Sequence, residues 1–450
     1  MTTPSSALVC AGCGASPGPR DPYPFRCPNR GIGDVDHVLT RVLDTDNVRF
    51  PDAAELDPCP FVSYRGLLHS YHRAVAGGID DTRFVELVRK LDTAVGELDG
   101  HGFRATPFGR DKKLSVALGF IESGGVWVKD ETGNVAGSHK ARHLLGVALH
   151  LEVAKLLGLA GRDRHPALAV ASCGNAALAA AVVAAAVGWR LRVFVPLDAN
   201  ERVVGRLGEL AAQVVVCERR PDERGDPTYR RLLAVLERGA LGFTCQGNLN
   251  GLAIEGGETL GYEIASQLAS SRAALDHLVV QVGGGALASS CVQAFSEARA
   301  LGALELVPRI HTVQTTGAHP LERAYRKARD ELGSASDGAE IDRVLAAAAK
   351  RRSEYMWPWE SEPRSIAEGI LDDETYDWLE VVRGMLATGG RPVVVSEERL
   401  VEAHELGHRA GFDVSSTGSA GLAGLIDLVA AGVIRPDERV AVLFTGVERS

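Results

Sequence analysis

The chain has 450 residues, 45% hydrophobic and 24% charged, with a formal net charge of −9. This is the balance of a globular protein of two or three domains; it excludes wholesale disorder, and the 50 glycines show no triplet period that would mark a collagen. No basic stripe stands out and no apolar run approaches the ~20 residues of a membrane span, so neither nucleic acid nor a membrane is expected as a partner. The first residues, Met1-Thr2-Thr3-Pro4, lack a basic n-region, and eight cysteines are too few for a disulfide scaffold. The expectation is a cytoplasmic protein with reduced thiols.

Residues 1–60 are rich in Pro, Asp and Arg, hold four of the eight cysteines and read as an irregular lead-in. Apolar residues recur at helical spacing over 84–97, and 126–128 is a short strand candidate. A loop from Thr132 to Gly137 follows, then Ser138 and a helix to about Leu157, with Gly158 as its stop. From 167 onward strands and helices alternate. Strands are expected at 167–171, 191–195 and 214–217, with helices at 175–187, 201–211 and 229–238. After Asn250 come helix 253–269, strand 278–282, helix 287–300 and strand 309–314. Helices then dominate until strand 393–395, helices 397–410 and 419–431, and strand 440–444. Alternation of this kind predicts an α/β fold with two parallel-sheet lobes, in which ligands sit at the carboxyl ends of the strands.

The strand-to-helix turns therefore carry the candidate chemistry. Gly283-Gly284-Gly285-Ala286-Leu287 follows an apolar strand and opens a helix, where bare backbone amides can hold an anion and missing side chains let a phosphate come close. Gly283, Gly285 and Ala288 also satisfy the dinucleotide fingerprint, but the next strand ends in Thr315 and Thr316 where that motif needs an acid. Ser172-Cys173-Gly174-Asn175 lies between a strand and a helix. It is either a helix cap or a polar loop for a carboxylate or ring oxygen, with Cys173 read as a small apolar residue rather than a nucleophile. Gly137-Ser138-His139-Lys140 puts a lysine at a helix start, where the dipole repels it but any anion bound at the helix end lies beside it. Only eight of the 49 basic residues are lysines, and Lys90, Lys112, Lys113, Lys129, Lys155, Lys327 and Lys350 look less distinctive.

Two motifs suggest metal. His404-Glu405-Leu406-Gly407-His408 has the spacing of a zinc hydrolase helix. The third ligand position after Gly411 is Val414, so the motif is expected to be structural. Cys10-Ala11-Gly12-Cys13 with Cys27 resembles a zinc ribbon, but Arg30 stands in place of a fourth cysteine. A degenerate ribbon is expected, and no metal is assigned to the functional site.

The turns also stand in a recognisable order: Gly137-Ser138-His139-Lys140, then Ser172-Cys173-Gly174-Asn175, then the glycine turn at 283–285, then Phe444-Thr445-Gly446. In this order they resemble the fold-type II enzymes of pyridoxal 5′-phosphate, the superfamily of the tryptophan synthase β chain, and most of all its threonine synthase and serine/threonine dehydratase members. Thr106-Pro107-Phe108, Glu255-Gly256-Gly257-Glu258-Thr259 and the small-residue stretch 415–425 add secondary likenesses. The resemblance covers roughly residues 61–450.

The resemblance implies that Lys140 holds the cofactor as a Schiff base. It further implies that Asn175 contacts the ring hydroxyl, that Gly283, Gly284 and Gly285 with Ala286 and Leu287 cradle the phosphate, and that Thr445 faces the pyridine nitrogen. Ser138, Ser172, Cys173, Gly174 and Asn175 would bind the substrate. The organisation it implies is a cysteine-containing extension at 1–60, a large cofactor-binding domain at 61–140 and 251–450, and a smaller α/β domain at 141–250, in a homodimer. The implied activity is that of a lyase or synthase acting on a small amino acid by β- or γ-elimination or replacement, through an aminoacrylate-type intermediate. Two other classes stay open: a zinc-dependent hydrolase using His404, Glu405 and His408, and a non-catalytic relative that has lost the cofactor.

Overall fold

Short β-branched runs form the strands, and the helices between them bury faces dense in alanine and leucine. In this computed structural model, which describes residues 4–160, 165–220, 226–333 and 337–449, twelve strands make three sheets. The first is a two-stranded antiparallel ribbon of β1 (Ser6–Cys10) and β2 (Leu39–Leu43). The largest has six strands: β3 (Phe108–Asp111), β4 (Gly125–Asp130), β9 (His277–Gln281), β10 (Arg309–Thr315), β11 (Pro392–Val395) and β12 (Arg439–Phe444). Their order is β11-β10-β9-β12-β4-β3. The third sheet has the order β7-β6-β5-β8, from β5 (Leu168–Ala171), β6 (Leu191–Pro196), β7 (Gln213–Cys217) and β8 (Leu241–Gly242).

All pairings in the two larger sheets are parallel except β3 with β4. The fold class is thus the expected α/β arrangement of two parallel-sheet units. Strands buried on both faces are apolar throughout, as His277–Gln281 and Arg439–Phe444 show apart from their ends. Among the described residues, no helix is long and apolar enough to cross a membrane.

Several elements match their sequence signals closely. The helix Asn175–Val187 ends on Gly188 in the left-handed conformation, with φ +70°, because glycine takes that conformation without a Cβ penalty. The lead-in departs from the expectation. Rather than being irregular throughout, it contains the β1–β2 ribbon, which alternates inward Leu8, Cys10 and Leu39 over spans too short to register as a period. It is docked by Arg41, whose buried guanidinium meets Glu258, Glu297 and the Tyr262 hydroxyl.

β12 is central, between β9 and β4. Consequently the carboxyl ends of three adjacent strands lie side by side: β4 leading towards Lys140, β9 leading into Gly283, and β12 leading into Thr445.

Candidate active site

Lys140 is positioned by a strained turn pinned from below. Ala136 takes a left-handed conformation, φ 54° and ψ 26°, followed by Gly137 at φ +63°. A non-glycine residue there costs on the order of 1–3 kcal/mol and persists only when its surroundings fix it. They do: the Ala136 amide donates to Asp99 Oδ2 at 2.9 Å, and its carbonyl accepts from Arg449 Nη2 at 2.6 Å.

Beneath the turn lies a buried charge network. Arg142 donates to both oxygens of Glu131, at 2.8 and 2.9 Å, and to Glu263 Oε1 at 2.6 Å. Glu131 also accepts from Asn134 Nδ2 at 2.8 Å, and Lys129 pairs with Glu263 and with the Thr106 carbonyl. One carboxylate therefore grips both sides of the turn that presents Lys140. The sequence alone assigned Arg142, Glu131 and Glu263 no role in the site. A visible signal was the run Lys129-Asp130-Glu131 at the end of an apolar strand, too charged for a buried strand end without partners.

Lys140 is the first residue of the helix Lys140–Leu156. Its amine is the neighbouring positive charge for Asp372, Asp377 and Cys245, which places it over the cleft at the strand ends. His139 donates its backbone amide and its ring Nδ1 to the Thr445 carbonyl, at 3.2 and 3.1 Å. Burial holds that imidazole well below the usual histidine range, so it is neutral and carries its proton on Nδ1. Ser138 forms a bridge with Gly446 and has a buried hydroxyl with no hydrogen-bond partner among the described residues.

Thr445 is fixed by a residue that the sequence reading missed. Gln281 Nε2 donates to Thr445 Oγ1 at 2.9 Å and to the Gly418 carbonyl at 2.7 Å. The Thr445 oxygen therefore acts as an acceptor towards the protein, and its own proton is left for a group in the cleft. The signal for Gln281 was a lone amide at the end of an otherwise apolar strand, two residues before Gly283.

Asn175 does not cap its helix. Gly174 is the N-cap and makes no side-chain cap bond. The Asn175 carbonyl oxygen instead accepts from Arg449 Nε at 2.9 Å, and its amide nitrogen lies so close to Gly446 that a Cβ there would come within 2.6 Å. Ser172 offers Oγ to the Gly174 amide at 3.4 Å, a weak contact, and Cys173 is exposed. The loop Ser172–Asn175 thus lines the side of the cleft formed by the smaller sheet.

The glycine turn is covered by an acidic segment. Gly285 has φ +98° and starts the helix Ala286–Ala300. A Cβ on Gly283 would stand 2.3 Å from Asp372 Oδ2, and one on Gly285 would stand 2.9 Å from Thr375 Cγ2. The Gly284 amide faces the Asp372 carboxylate and favours its ionised form. Thr375 Oγ1 donates to the Gly283 carbonyl at 3.1 Å, and the Asp377 amide to that of Gly284 at 3.0 Å. Desolvation raises the Asp372 carboxyl to about 6 and that of Asp377 to about 8. The turn thus already holds an anionic side chain, as expected of amides at a helix start.

Together these features fit pyridoxal phosphate. The cleft offers an amine at Lys140, an orphaned hydroxyl at Ser138, a hydroxyl proton at Thr445, and amides that take an anion where no side chain intervenes.

The His404 motif gains a partner that the spacing did not reveal. His404 Nε2 lies 2.9 Å from Glu448 Oε2 and 3.0 Å from His408 Nε2. The third side chain is Glu448 and not the residue at position 414. Glu405, the base such a hydrolase would need, has a side chain 61% exposed and pairs with Arg409.

Comparison with known proteins agrees with this geometry. A family model described as "Pyridoxal-phosphate dependent enzyme" matches residues 101–446. The chain is similar to the threonine synthase of Methanocaldococcus jannaschii, with 25% identity over 76% of this chain and 74% of that one. It resembles the threonine synthase of Methanosarcina acetivorans at 26% identity over the same shares. Among solved structures, threonine deaminase isoform 2 of Solanum lycopersicum shares the fold, with a TM-score of 0.57 and 16% identity over 82% of this chain and 91% of that one.

Proposed function

The chain belongs to the pyridoxal-phosphate dependent enzyme family, and from that premise we propose that it is a lyase or synthase acting on a small amino acid by elimination or replacement of a β- or γ-substituent. The convergence of Lys140, Ser138, Thr445 and the glycine turn at the ends of three adjacent parallel strands is the observation that carries this reading. The similarity to two threonine synthases favours a synthase-like replacement over simple deamination.

In this reading Lys140 would hold the cofactor covalently, the amides of Gly283 to Leu287 would hold its phosphate, Asn175 would meet the ring oxygen and Thr445 the ring nitrogen. The bound group supplies an electron sink for the bond-breaking step. The remaining chemistry belongs to the chain. The Lys140 amine would also be the base that takes the substrate's α-proton. The amides and hydroxyl of Ser172–Asn175 fix the substrate carboxylate. Gln281 holds the Thr445 oxygen so that its hydroxyl proton stays available to the cleft; a neutral hydroxyl there would hydrogen-bond a ring nitrogen without holding it protonated as a carboxylate would. Neutral His139 ties the lysine turn to the end of β12, so Lys140 and Thr445 keep a fixed separation.

The test is a panel of serine, threonine and homoserine with their O-acetyl and O-phospho derivatives, scored for ammonia with an oxo acid or for a new amino acid. Turnover of at least one member, dependent on added cofactor, is expected. A fully loaded protein that turns over none of them would contradict the reading. We also propose a cytoplasmic location, supported by eight cysteines none of which is disulfide-bonded in the fold, and a homodimer, as the family resemblance implies; a monomer by light scattering would remove the dimer.

A further inference from the structure

The N-terminal ribbon brings together four side chains with no role in the cleft. Cys10, Cys13, Cys27 and His37 place their sulfur and nitrogen atoms within 4.8 Å of one another. We infer that these four residues form a tetrahedral structural zinc site that fastens the N-terminal ribbon to the body of the protein.

The geometry supports a shared metal. Zinc–sulfur bonds of about 2.3 Å and zinc–nitrogen bonds of about 2.0–2.1 Å imply tetrahedral edges of roughly 3.8 Å between sulfurs and roughly 3.6 Å between sulfur and nitrogen. Cys13 Sγ and Cys27 Sγ are 3.5 Å apart, and Cys10 Sγ and His37 Nδ1 are 3.7 Å apart. A disulfide needs about 2.05 Å.

The backbone has the form of two metal knuckles. After β1 the chain folds back through Gly14 N to Cys10 O at 2.9 Å and Cys10 N to Ala15 O at 2.8 Å, so Cys10 and Cys13 face one point. At the second turn the Asn29 amide donates to Cys27 Sγ at 3.3 Å, and Arg30 N to Cys27 O at 3.1 Å; an amide pointing at sulfur stabilises a thiolate. The fourth cysteine that a ribbon would place at position 30 is replaced by His37, seven residues on. Its Nε2 lies 3.0 Å from the Ile32 carbonyl, which fixes the proton on Nε2 and turns the Nδ1 lone pair towards Cys10. An outer hydrogen bond of this kind orients a metal-bound imidazole. Three thiolates and one imidazole, with no open corner, suit a structural zinc.

The core energetics point the same way. The buried apolar cluster inside the ribbon consists of Cys10, Cys27 and Leu39, with Ala15 against it. A core that small cannot order a loop of this length without a staple. The loop nevertheless makes specific contacts elsewhere. Asp36, next to His37, donates its amide to the Ala349 carbonyl at 2.8 Å and takes Arg352 Nε at 3.2 Å, and Arg352 also pairs with Glu374 in the acidic segment over the glycine turn. On the other side the Gly251 amide donates to the Phe25 carbonyl at 3.0 Å.

The experiment is metal analysis of the full-length protein purified without chelator, with replacement of the native metal by Co2+. About one zinc per chain is expected. The cobalt form should show the visible bands of a tetrahedral site and thiolate charge-transfer absorption. In the wild-type protein, mercurial titration of the thiols should release zinc in step with modification of three cysteines. Cys13→Ser and His37→Ala should each lower the zinc content at least tenfold, while His404→Ala should leave it unchanged. Absence of both zinc and cobalt bands would overturn the inference. So would zinc that is lost with His404→Ala but kept in Cys13→Ser, or a Cys13–Cys27 disulfide in freshly purified protein.

Discussion

Replacing Asp372 by asparagine should tighten cofactor binding in a pH-dependent way. In the unliganded cleft the Asp372 carboxylate faces the Gly284 amide, and its titration is raised to about 6 by burial, a shift that the nearby Lys140 charge only partly offsets. A phosphate entering the glycine turn must meet that carboxylate ionised, protonated or moved aside. Two unit charges about 4 Å apart at a protein surface repel by roughly 4 kcal/mol, on the order of a thousandfold in affinity. Protonation is the cheaper route. A group titrating near 6 is protonated about once in a hundred at pH 8, so that route weakens binding by at most about 100-fold there and by less than about twofold at pH 5.5. A neutral carboxamide at this position has no such requirement. The ratio of the wild-type dissociation constant to that of Asp372→Asn should therefore rise from near one at pH 5.5 to between ~10 and ~100 at pH 8. Using the ratio cancels the titration of the phosphate, which both proteins share. The assay is titration of the hydroxylamine-stripped apoprotein with pyridoxal phosphate, followed by visible absorbance. A ratio that stays flat and near one up to pH 8 would refute the placement of Asp372 against the turn.

Further outcomes follow from the residues around the cleft. Arg142→Met should leave the buried Glu131 and Glu263 short of a partner and cost about 3–5 kcal/mol, read as a fall in denaturant midpoint; a loss below about 1 kcal/mol would show that the network does not form. Gln281→Leu should strand the Thr445 oxygen and the Gly418 carbonyl, costing about 1–3 kcal/mol. It should also shift the bound cofactor's absorbance in the same direction as Thr445→Val, and a stability loss without a spectral shift would separate Gln281 from the ring. Asp377 is buried and titrates near 8 in the folded state against an ordinary carboxyl in the unfolded chain. A raised folded-state value means its contribution to stability is complete below pH ~4 and is lost as pH rises towards 8. The melting temperature of Asp377→Asn relative to wild type should therefore climb from pH 5 to pH 8 and then level off; a constant difference would place that carboxylate in water.

Much of the fold was legible because it rests on local patterns. Apolar strands next to alanine-rich helical stretches announced parallel α/β units, and the glycine at position 188 announced the end of its helix. The strand-to-helix turns marked by spacing do converge on one cleft. What escaped is what depends on distant partners. Gln281 gains a meaning only when β12 lies beside β9. The acids at 372 and 377 look like surface residues until they fold over the glycine turn. Arg142 follows Lys140 by two residues, yet its carboxylate partners are Glu131, just past the end of β4, and Glu263 in the helix Ala253–Ser271. His37 was overlooked because the ribbon pattern called for a cysteine at a set spacing, and a metal corner needs only an atom in the right place. The antiparallel edge strand β3 is four residues long, too short to register as a period.

The central claim is that Lys140 carries the cofactor. The most direct measurement is borohydride reduction of the yellow holoprotein, followed by peptide mapping with mass spectrometry. The account predicts a pyridoxyl group on the peptide containing Lys140 and on no other lysine peptide, with Lys140→Ala binding cofactor that borohydride does not fix. A pyridoxyl group on Lys129 or any other lysine, or a reduced wild-type protein with no modified peptide, would contradict it.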